Sequence, residues 1–319
     1  MPDLPSSEFV EIPFVVESNY AGWRLDLYLC EKIQRLSRAR VQHIIKNSLL
    51  SERRLKPSSL VYPGLTFRLR RRAEVEPETP TDLPTLYEDD ALLVLNKPSG
   101  LPIHPTARYH RGTLVSLLKA RSGAARADPV HRLDRETSGV IVCGKTTEAC
   151  RTLMRAFVAG EVHKEYAALC EGHPEPDAFE VDAPISEGGA TVRIAVRIDR
   201  ESGKPARTCF EVKTRFEVKG EPFSLLRAFP KTGRQHQIRV HLREAGFPIV
   251  GDKIYGPDEG YFDRFSRRCL EPEAWLKLRL QRHALHAAFI SFNHPTTGAP
   301  VRFEADLPAD LAGFLSSGS

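Results

Sequence analysis

The run His131-Arg132-Leu133-Asp134-Arg135-Glu136-Thr137-Ser138-Gly139 sets the carboxylate of Asp134 among basic and hydroxyl side chains, directly before the apolar stretch Val140-Ile141-Val142-Cys143. A carboxylate in a loop at the mouth of a buried strand is placed for chemistry, as a nucleophile or as a base. The plain alternative is a loop in which Arg132 or Arg135 merely holds Asp134. A second run, Lys231-Thr232-Gly233-Arg234-Gln235-His236-Gln237-Ile238-Arg239-Val240-His241-Leu242, follows an expected strand at Ser224–Phe229. It opens a helix expected to reach about Ala245, with Gly246 at the C-cap position. Arg234 then sits on a strand-to-helix turn, and an arginine fork there would orient the Asp134 carboxylate and keep it ionised. His236 and His241 are five apart and do not share a helical face, so no metal is expected between them.

Two further features need weighing. Lys164-Glu165-Tyr166 opens an expected strand, and by spacing alone Tyr166 is an ordinary strand aromatic. Gly139-Val140-Ile141-Val142-Cys143-Gly144-Lys145-Thr146 fits the letters of a phosphate-binding loop. That loop works by aiming bare backbone N–H groups at phosphate, whereas the middle residues here are apolar strand whose N–H groups belong to a ladder. The match is read as accidental, and no nucleotide cofactor is expected.

The elements that must position these groups are legible in outline. Ala91–Leu95, Val140–Cys143, Lys164–Cys170, Val192–Ile198, Thr208–Lys213, Ser224–Phe229, His286–Phe292 and Val301–Glu304 read as strands. Thr113–Ala120 and Thr147–Ala159 read as helices, the latter with Leu153, Met154, Phe157 and Val158 at core spacing. Helices and strands do not alternate, and strand-to-strand returns dominate the second half. The pattern predicts an α+β fold with a mixed, mostly antiparallel sheet.

A chain of 319 residues with 41% hydrophobic and 27% charged residues has the composition of a globular protein and the length of two domains. No apolar run approaches the roughly 20 residues of a membrane span, and the first residues lack the pattern of a secretory signal. The six cysteines are scattered without a C-x-x-C pair, which points to a reduced, cytoplasmic setting without zinc. Charge is unevenly placed. Residues 24–72 hold 13 Lys/Arg against three acids, so this segment carries +10 and the remaining chain −5. A compact basic module points to a polyanion. Within it, Leu25, Leu29 and Ile33 mark one helix; Ser37 caps a second, Arg38–Asn47, with Arg38, Arg40 and Lys46 largely off its apolar face; residues 65–70 alternate as a strand. The acidic, proline-bearing stretch 73–85 reads as a linker. The expected organisation is an extension at 1–22, a basic domain at 23–72, the linker, and a catalytic domain at 86–319.

The first run resembles the H-R-L-D-x-x-T-S-G signature of the RluA family of pseudouridine synthases, and Thr232–His241 is similar to that family's T-G-R-x-H-Q-I-R-x-H motif. Asn96-Lys97-Pro98-Ser99-Gly100 with His104-Pro105, Gly251-Asp252-Lys253-Ile254-Tyr255-Gly256, Leu285-His286-Ala287 and His294–Gly298 look like further signatures, so the resemblance runs from about 86 to 306. The basic module resembles the S4 RNA-binding domain through R-L-D at 24–26 and S-R-A-R at 37–40, departing from it at Leu50–Arg54, where a V-N-G-type turn is usual. The resemblance implies an RNA pseudouridine synthase with Asp134 catalytic, Arg234 its partner, and Tyr166 packed on the target base. It implies RNA as partner, ribosomal rather than transfer RNA. An isomerisation without redox change or group transfer to solvent needs no cofactor, and nothing in the sequence demands an oligomer. Arg24, Arg38, Arg40, Lys46, His131, Arg132 and Arg135 are the expected RNA contacts. The competing classes are a non-catalytic RNA-binding protein and a nucleotide hydrolase.

Overall fold

The computed structural model describes residues 9–33, 36–72, 76–106, 108–121, 127–188, 194–258, 260–267 and 269–318. The chain divides into two compact units, 1–75 and 76–319.

In the first unit, β1 (Phe9–Val15) is followed by α1 (Leu25–Lys32), α2 (Arg38–Ser48), β2 (Leu49–Leu50) and β3 (Thr66–Arg72), the strands ordered β1-β3-β2. Both expected helices and the expected strand form. The 1–22 extension is corrected: residues 9–15 pair with β3, Ile12 opposite Leu69 and Phe14 opposite Phe67. Pro13 is tolerated there because β1 is an edge strand. Leu25, Tyr28, Leu29, Val41, Ile45 and Phe67 fill the core. Ser37 caps α2 by accepting the Arg40 N–H. Asp26, fully buried, accepts from Arg24, Arg38 and Gln42 and thereby ties α1 to α2.

The second unit is α+β. Its strands are β4 (Thr85–Glu88), β5 (Leu92–Lys97), β6 (Asp128–Pro129), β7 (Ser138–Gly144), β8 (His163–Glu171), β9 (Ala178–Asp182), β10 (Ile185–Glu187), β11 (Val196–Ile198), β12 (Arg207–Val218), β13 (Glu221–Pro230), β14 (Leu285–Asn293) and β15 (Pro300–Glu304). The helices are α3 (Leu114–Ala120), α4 (Thr147–Ala159), α5 (Gln237–Glu244), α6 (Tyr261–Ser266), α7 (Pro272–Leu278) and α8 (Ala309–Ser316). A 10-stranded sheet runs β4-β5-β7-β14-β8-β13-β12-β9, with β15 on β14 and β6 on β7. Among the described strands only β7 and β14 are parallel. The expected strand at 192–198 is observed at its end, 196–198, pairing with β10; its first two residues lie outside the described ones.

β7 is buried along its whole length, Val140, Ile141 and Val142 at no more than 1% exposure, worth about 1.5–3 kcal/mol for each side chain. Its backbone is spent on ladders with β5 and β6, as the reading of residues 139–146 against a phosphate loop requires. Gly139 takes φ +110° opposite Ala287, and a Cβ there would lie 2.2 Å from the Ala287 carbonyl oxygen. The close approach of β14 therefore demands glycine. The expected linker is shorter than read. Glu76 accepts the N–H groups of His110, Arg111 and Gly112, so the chain is already packed on the second unit from residue 76, while 73–75 lie outside the described residues.

Candidate active site

The loop between β6 and β7 carries the first motif, and almost every member is spoken for. His131 Nε2 accepts the Val142 N–H at 3.0 Å, and its ring stacks on Phe157 with centroids 4.9 Å apart. Burial, then the Lys164 charge, lowers it to about 3, so the ring is neutral, with Nε2 committed to the β7 backbone. Leu133 enters the core. Thr137 Oγ1 meets His283 Nε2 at 2.8 Å, and Ser138 Oγ meets His286 Nδ1 at 2.9 Å. Arg135 donates to the Tyr109 hydroxyl and to Glu136, which half-buries the guanidinium that was expected to reach RNA. Glu136 is gripped in turn by Lys253 Nζ at 3.0 Å. Beneath the loop lies Lys97, fully buried, whose Nζ donates to the carbonyls of Pro98, Leu101 and Arg135 at 2.8, 3.0 and 3.1 Å. Burial draws its ammonium down to about 7. Only Arg132 is exposed among the nine motif residues.

This scaffold leaves Asp134 at the edge of a cleft of about 100 Å³, lined also by Lys164, Tyr166, Arg234, His236 and Arg239. A larger chamber of about 410 Å³, lined by Ile103, His104, Lys253 and Phe262, shares Arg132, Asp134, His236 and Arg239 with it. Asp134 Oδ2 accepts from Arg239 Nη1 at 2.8 Å. The expected partner is thus corrected. Arg234 is exposed on the turn and its Nε donates to the Pro205 carbonyl, while the second arginine of the motif, on the first turn of α5, points inward. Arg239 gives its other donors to the buried Asp252, Nε–Oδ2 at 2.6 Å and Nη2–Oδ1 at 2.8 Å, and its guanidinium lies 5.1 Å from the Tyr255 ring centroid. Asp252 is completed by the N–H groups of Ile254 and Tyr255. Burial would raise the Asp134 carboxyl, but the facing His236 and Arg239 hold it well below the usual carboxylate range. Because burial keeps His236 itself neutral, at about 4, the guanidinium is the charge that does this near pH 7.

Tyr166, on β8, lines the same cleft; burial first and the Asp134 charge second push its phenol up, so it stays neutral. His241 does not face His236: its Nδ1 meets Thr208 Oγ1 and its Nε2 the Ala183 carbonyl. Asp26 anchors Arg24 and Arg38, whose side chains still reach the surface, and Arg40 and Lys46 are exposed as well, so the expected contacts of the first unit all lie at its surface. Sequence reasoning missed Arg239, Asp252, Tyr255 and His236 as site residues. Asp252 and Tyr255 lie in the 251–256 motif, whose glycine Gly251 packs its backbone against Arg282. No group of His, Cys, Asp and Glu able to hold a metal occurs among the described residues.

Residues 91–244 match the family described as RNA pseudouridylate synthase. Over 93% of its length the chain is 38% identical to an RNA pseudouridine synthase of Chloroflexus aurantiacus, covering 90% of that protein. It is 36% identical to ribosomal large subunit pseudouridine synthase D of Xanthomonas campestris, covering 95% of this chain and 91% of the relative. The solved structure of human RNA Pseudouridylate Synthase Domain Containing 1 superimposes with a TM-score of 0.57 at 26% identity, covering 76% of this chain and 97% of the other. The chain belongs to the RNA pseudouridylate synthase family, among its RluA-type members, and is an RNA pseudouridine synthase.

Proposed function

We propose that this chain converts specific uridines of large-subunit ribosomal RNA to pseudouridine, in the cytoplasm and as a single chain, with Asp134 as its catalytic group. The observation that carries this reading is the Asp134 carboxylate, kept ionised by Arg239 in a cleft that Tyr166 also lines. The isomerisation breaks the N1–C1′ bond, turns the uracil, and joins C5 to C1′; C5 gives up its proton and N1 regains one. No electrons are exchanged and no atom is left over, so the residues present suffice without a cofactor. An ionised carboxylate serves either route, attack on C1′ or removal of a sugar proton. Arg239 orients it, and Tyr166 gives the base a flat neighbour.

A uridine inside folded RNA has to leave its stack to reach the cleft, at a cost of a few kcal/mol. Exposed cations at the rim, Arg132 and Arg234, offset it through the phosphate backbone. The first unit adds an S4-like grip: a groove of about 880 Å³ lined by Arg24, Lys46, Arg53, Arg54 and Lys56. The large-subunit target is supported by the name of the Xanthomonas relative.

The test is tritium release from unmodified large-subunit RNA labelled at C5 of uridine, because C5 loses its hydrogen only when the base is rejoined through that carbon. Release by wild type and none by Asp134→Asn is expected. No release by wild type, despite tight RNA binding, would count against the reading and favour a binding protein.

A further inference from the structure

Arg239 occupies one oxygen of Asp134, and the other oxygen faces His236. Nε2 of that imidazole lies 3.8 Å from Asp134 Oδ1, too far for a direct hydrogen bond. The position of the ring is heavily determined. His236 takes φ +53° at the N-cap of α5, a left-handed conformation that a residue with a Cβ keeps only when its surroundings enforce it. Gln237 supplies the enforcement: its Oε1 accepts from Thr232 Oγ1 and the Arg234 N–H, and its Nε2 donates to the Arg207 carbonyl and Thr208 Oγ1.

The proton on the ring can be placed as well. The Tyr255 hydroxyl oxygen accepts the Val196 N–H at 2.8 Å and lies 2.9 Å from His236 Nδ1. Tyr255 is buried, and its phenol proton finds its partner in Nδ1. The imidazole, neutral near pH 7, therefore carries its own proton on Nε2. A donor, Nε2–H, and an acceptor, Oδ1, thus face one point. An oxygen about 2.8 Å from each closes a triangle on the 3.8 Å base. Only an oxygen that both accepts and donates satisfies the two, as a water does before substrate binds and a substrate hydroxyl does in its place.

The hydroxyl adjacent to the reacting C1′ is the 2′-OH. We propose that His236 and Asp134 together bind the 2′-hydroxyl of the target uridine, His236 donating to its oxygen and the hydroxyl donating to Asp134 Oδ1. The inference rests on the assignment of Asp134 as the catalytic group. A hydrogen bond at this position strengthens as positive charge develops on the sugar, as it does at the 2-OH of glycosides. It also makes the cleft selective for RNA over DNA at the reacting nucleotide itself. Tyr255 acts through His236, as a positioning residue that fixes the tautomer.

Large-subunit RNA is transcribed once with 5-tritiated uridine and once with 5-tritiated 2′-fluorouridine, and single-turnover tritium release is measured for wild type, His236→Ala and Tyr255→Phe. Fluorine preserves the sugar pucker but cannot donate and scarcely accepts. The same two RNAs meet each enzyme, so effects of fluorine on RNA folding or intrinsic reactivity cancel when uridine-to-fluorouridine rate ratios are compared. The wild-type ratio is expected to exceed that of His236→Ala by about tenfold, with Tyr255→Phe between them. Equal ratios for wild type and His236→Ala overturn the proposal: the point between the two side chains then holds water. If His236→Ala releases no tritium from either RNA, Tyr255→Phe decides, a wild-type ratio counting against the proposal and a reduced one for it. Failure of wild type on the uridine transcript is a separate result, which removes the assigned reaction and this inference with it.

Discussion

Asp134 Oδ2 and Arg239 Nη1 meet at 2.8 Å across 105 positions of chain, and the same guanidinium spends its remaining donors on Asp252. One cation therefore serves two carboxylates, the second of them fully buried. The planar fork makes this possible; a lysine ammonium has no such geometry.

Asp134→Asn keeps the volume of the side chain and removes its charge. Turnover should fall by at least about a thousandfold, the scale on which loss of a covalent or acid-base group is felt, while RNA affinity changes little. Tritium release and filter binding on the same preparation check both halves. Activity equal to wild type would remove Asp134 from the mechanism.

Arg239→Gln leaves Asp134 and the buried Asp252 without the cation they share. Breaking a buried pair in this way costs about 3–5 kcal/mol, so denaturant unfolding should show a large loss alongside lost activity. Arg234→Ala removes one exposed bond to a carbonyl and should change stability by no more than about 0.5 kcal/mol. Its effect should appear as weaker RNA binding. The reverse ranking of the two variants would restore Arg234 as the partner of Asp134.

Gly139→Ala should be among the worst single substitutions in the chain. The added methyl collides with the Ala287 backbone at 2.2 Å, and φ +110° is closed to alanine. The parallel pairing of β7 and β14 must give way, with a loss above about 4 kcal/mol. Urea unfolding, or the soluble yield if no folded protein survives, measures it.

Glu136 sets part of the acid limb of stability. Burial raises its carboxyl, but Lys253 foremost among its neighbours outweighs this and holds it at about 2, below the ordinary 4.5. A folded value below the unfolded one means that the contribution is complete above pH 4.5 and is lost as pH falls toward 2. Glu136→Gln should therefore be less stable at pH 7 and flatter than wild type between pH 5 and 2. Parallel curves for the two proteins would show that the Lys253 ion pair adds nothing.

Lys46, Arg53 and Arg54 line the groove of the first unit and are exposed. Replacing all three by alanine in the full chain should weaken RNA binding without touching the cleft. The slope of log affinity against log salt should become shallower, by roughly 0.7–0.9 for each phosphate that is no longer neutralised. An unchanged slope would show that this groove does not hold RNA.

Much of the site was legible because its motifs are contiguous. Asp134 and Tyr166 could be named from the residues and the resemblance they carry, and both line the cleft. The choice between Arg234 and Arg239 was not legible, because it depends on where α5 begins. With the helix starting at Gln237, every residue from Gln237 to Leu242 is buried, and an arginine within such a run has to meet a carboxylate. That carboxylate, Asp252, lies outside the motif. His131 was ambiguous for the opposite reason: in a loop beside an arginine it fits an RNA contact or a structural role equally well, and only the fold shows its Nε2 holding the Val142 N–H of β7. β1 was missed because a lone amphipathic stretch bearing Pro13 does not announce the edge to which it adds.

Lys97 touches none of the groups that line the cleft beside Asp134, yet three carbonyls from two loops converge on its nitrogen, and its ammonium sits near 7 rather than above 10. Burial both lowers this amine and seals it, so in the closed loop no reagent meets it. In molecules whose loop has come undone the ammonium is solvated and returns toward its ordinary 10.5, and an acylating reagent takes it as it takes any exposed lysine. Labelling at this single position, set against that of an exposed lysine, therefore reports how often the catalytic loop opens, without substrate.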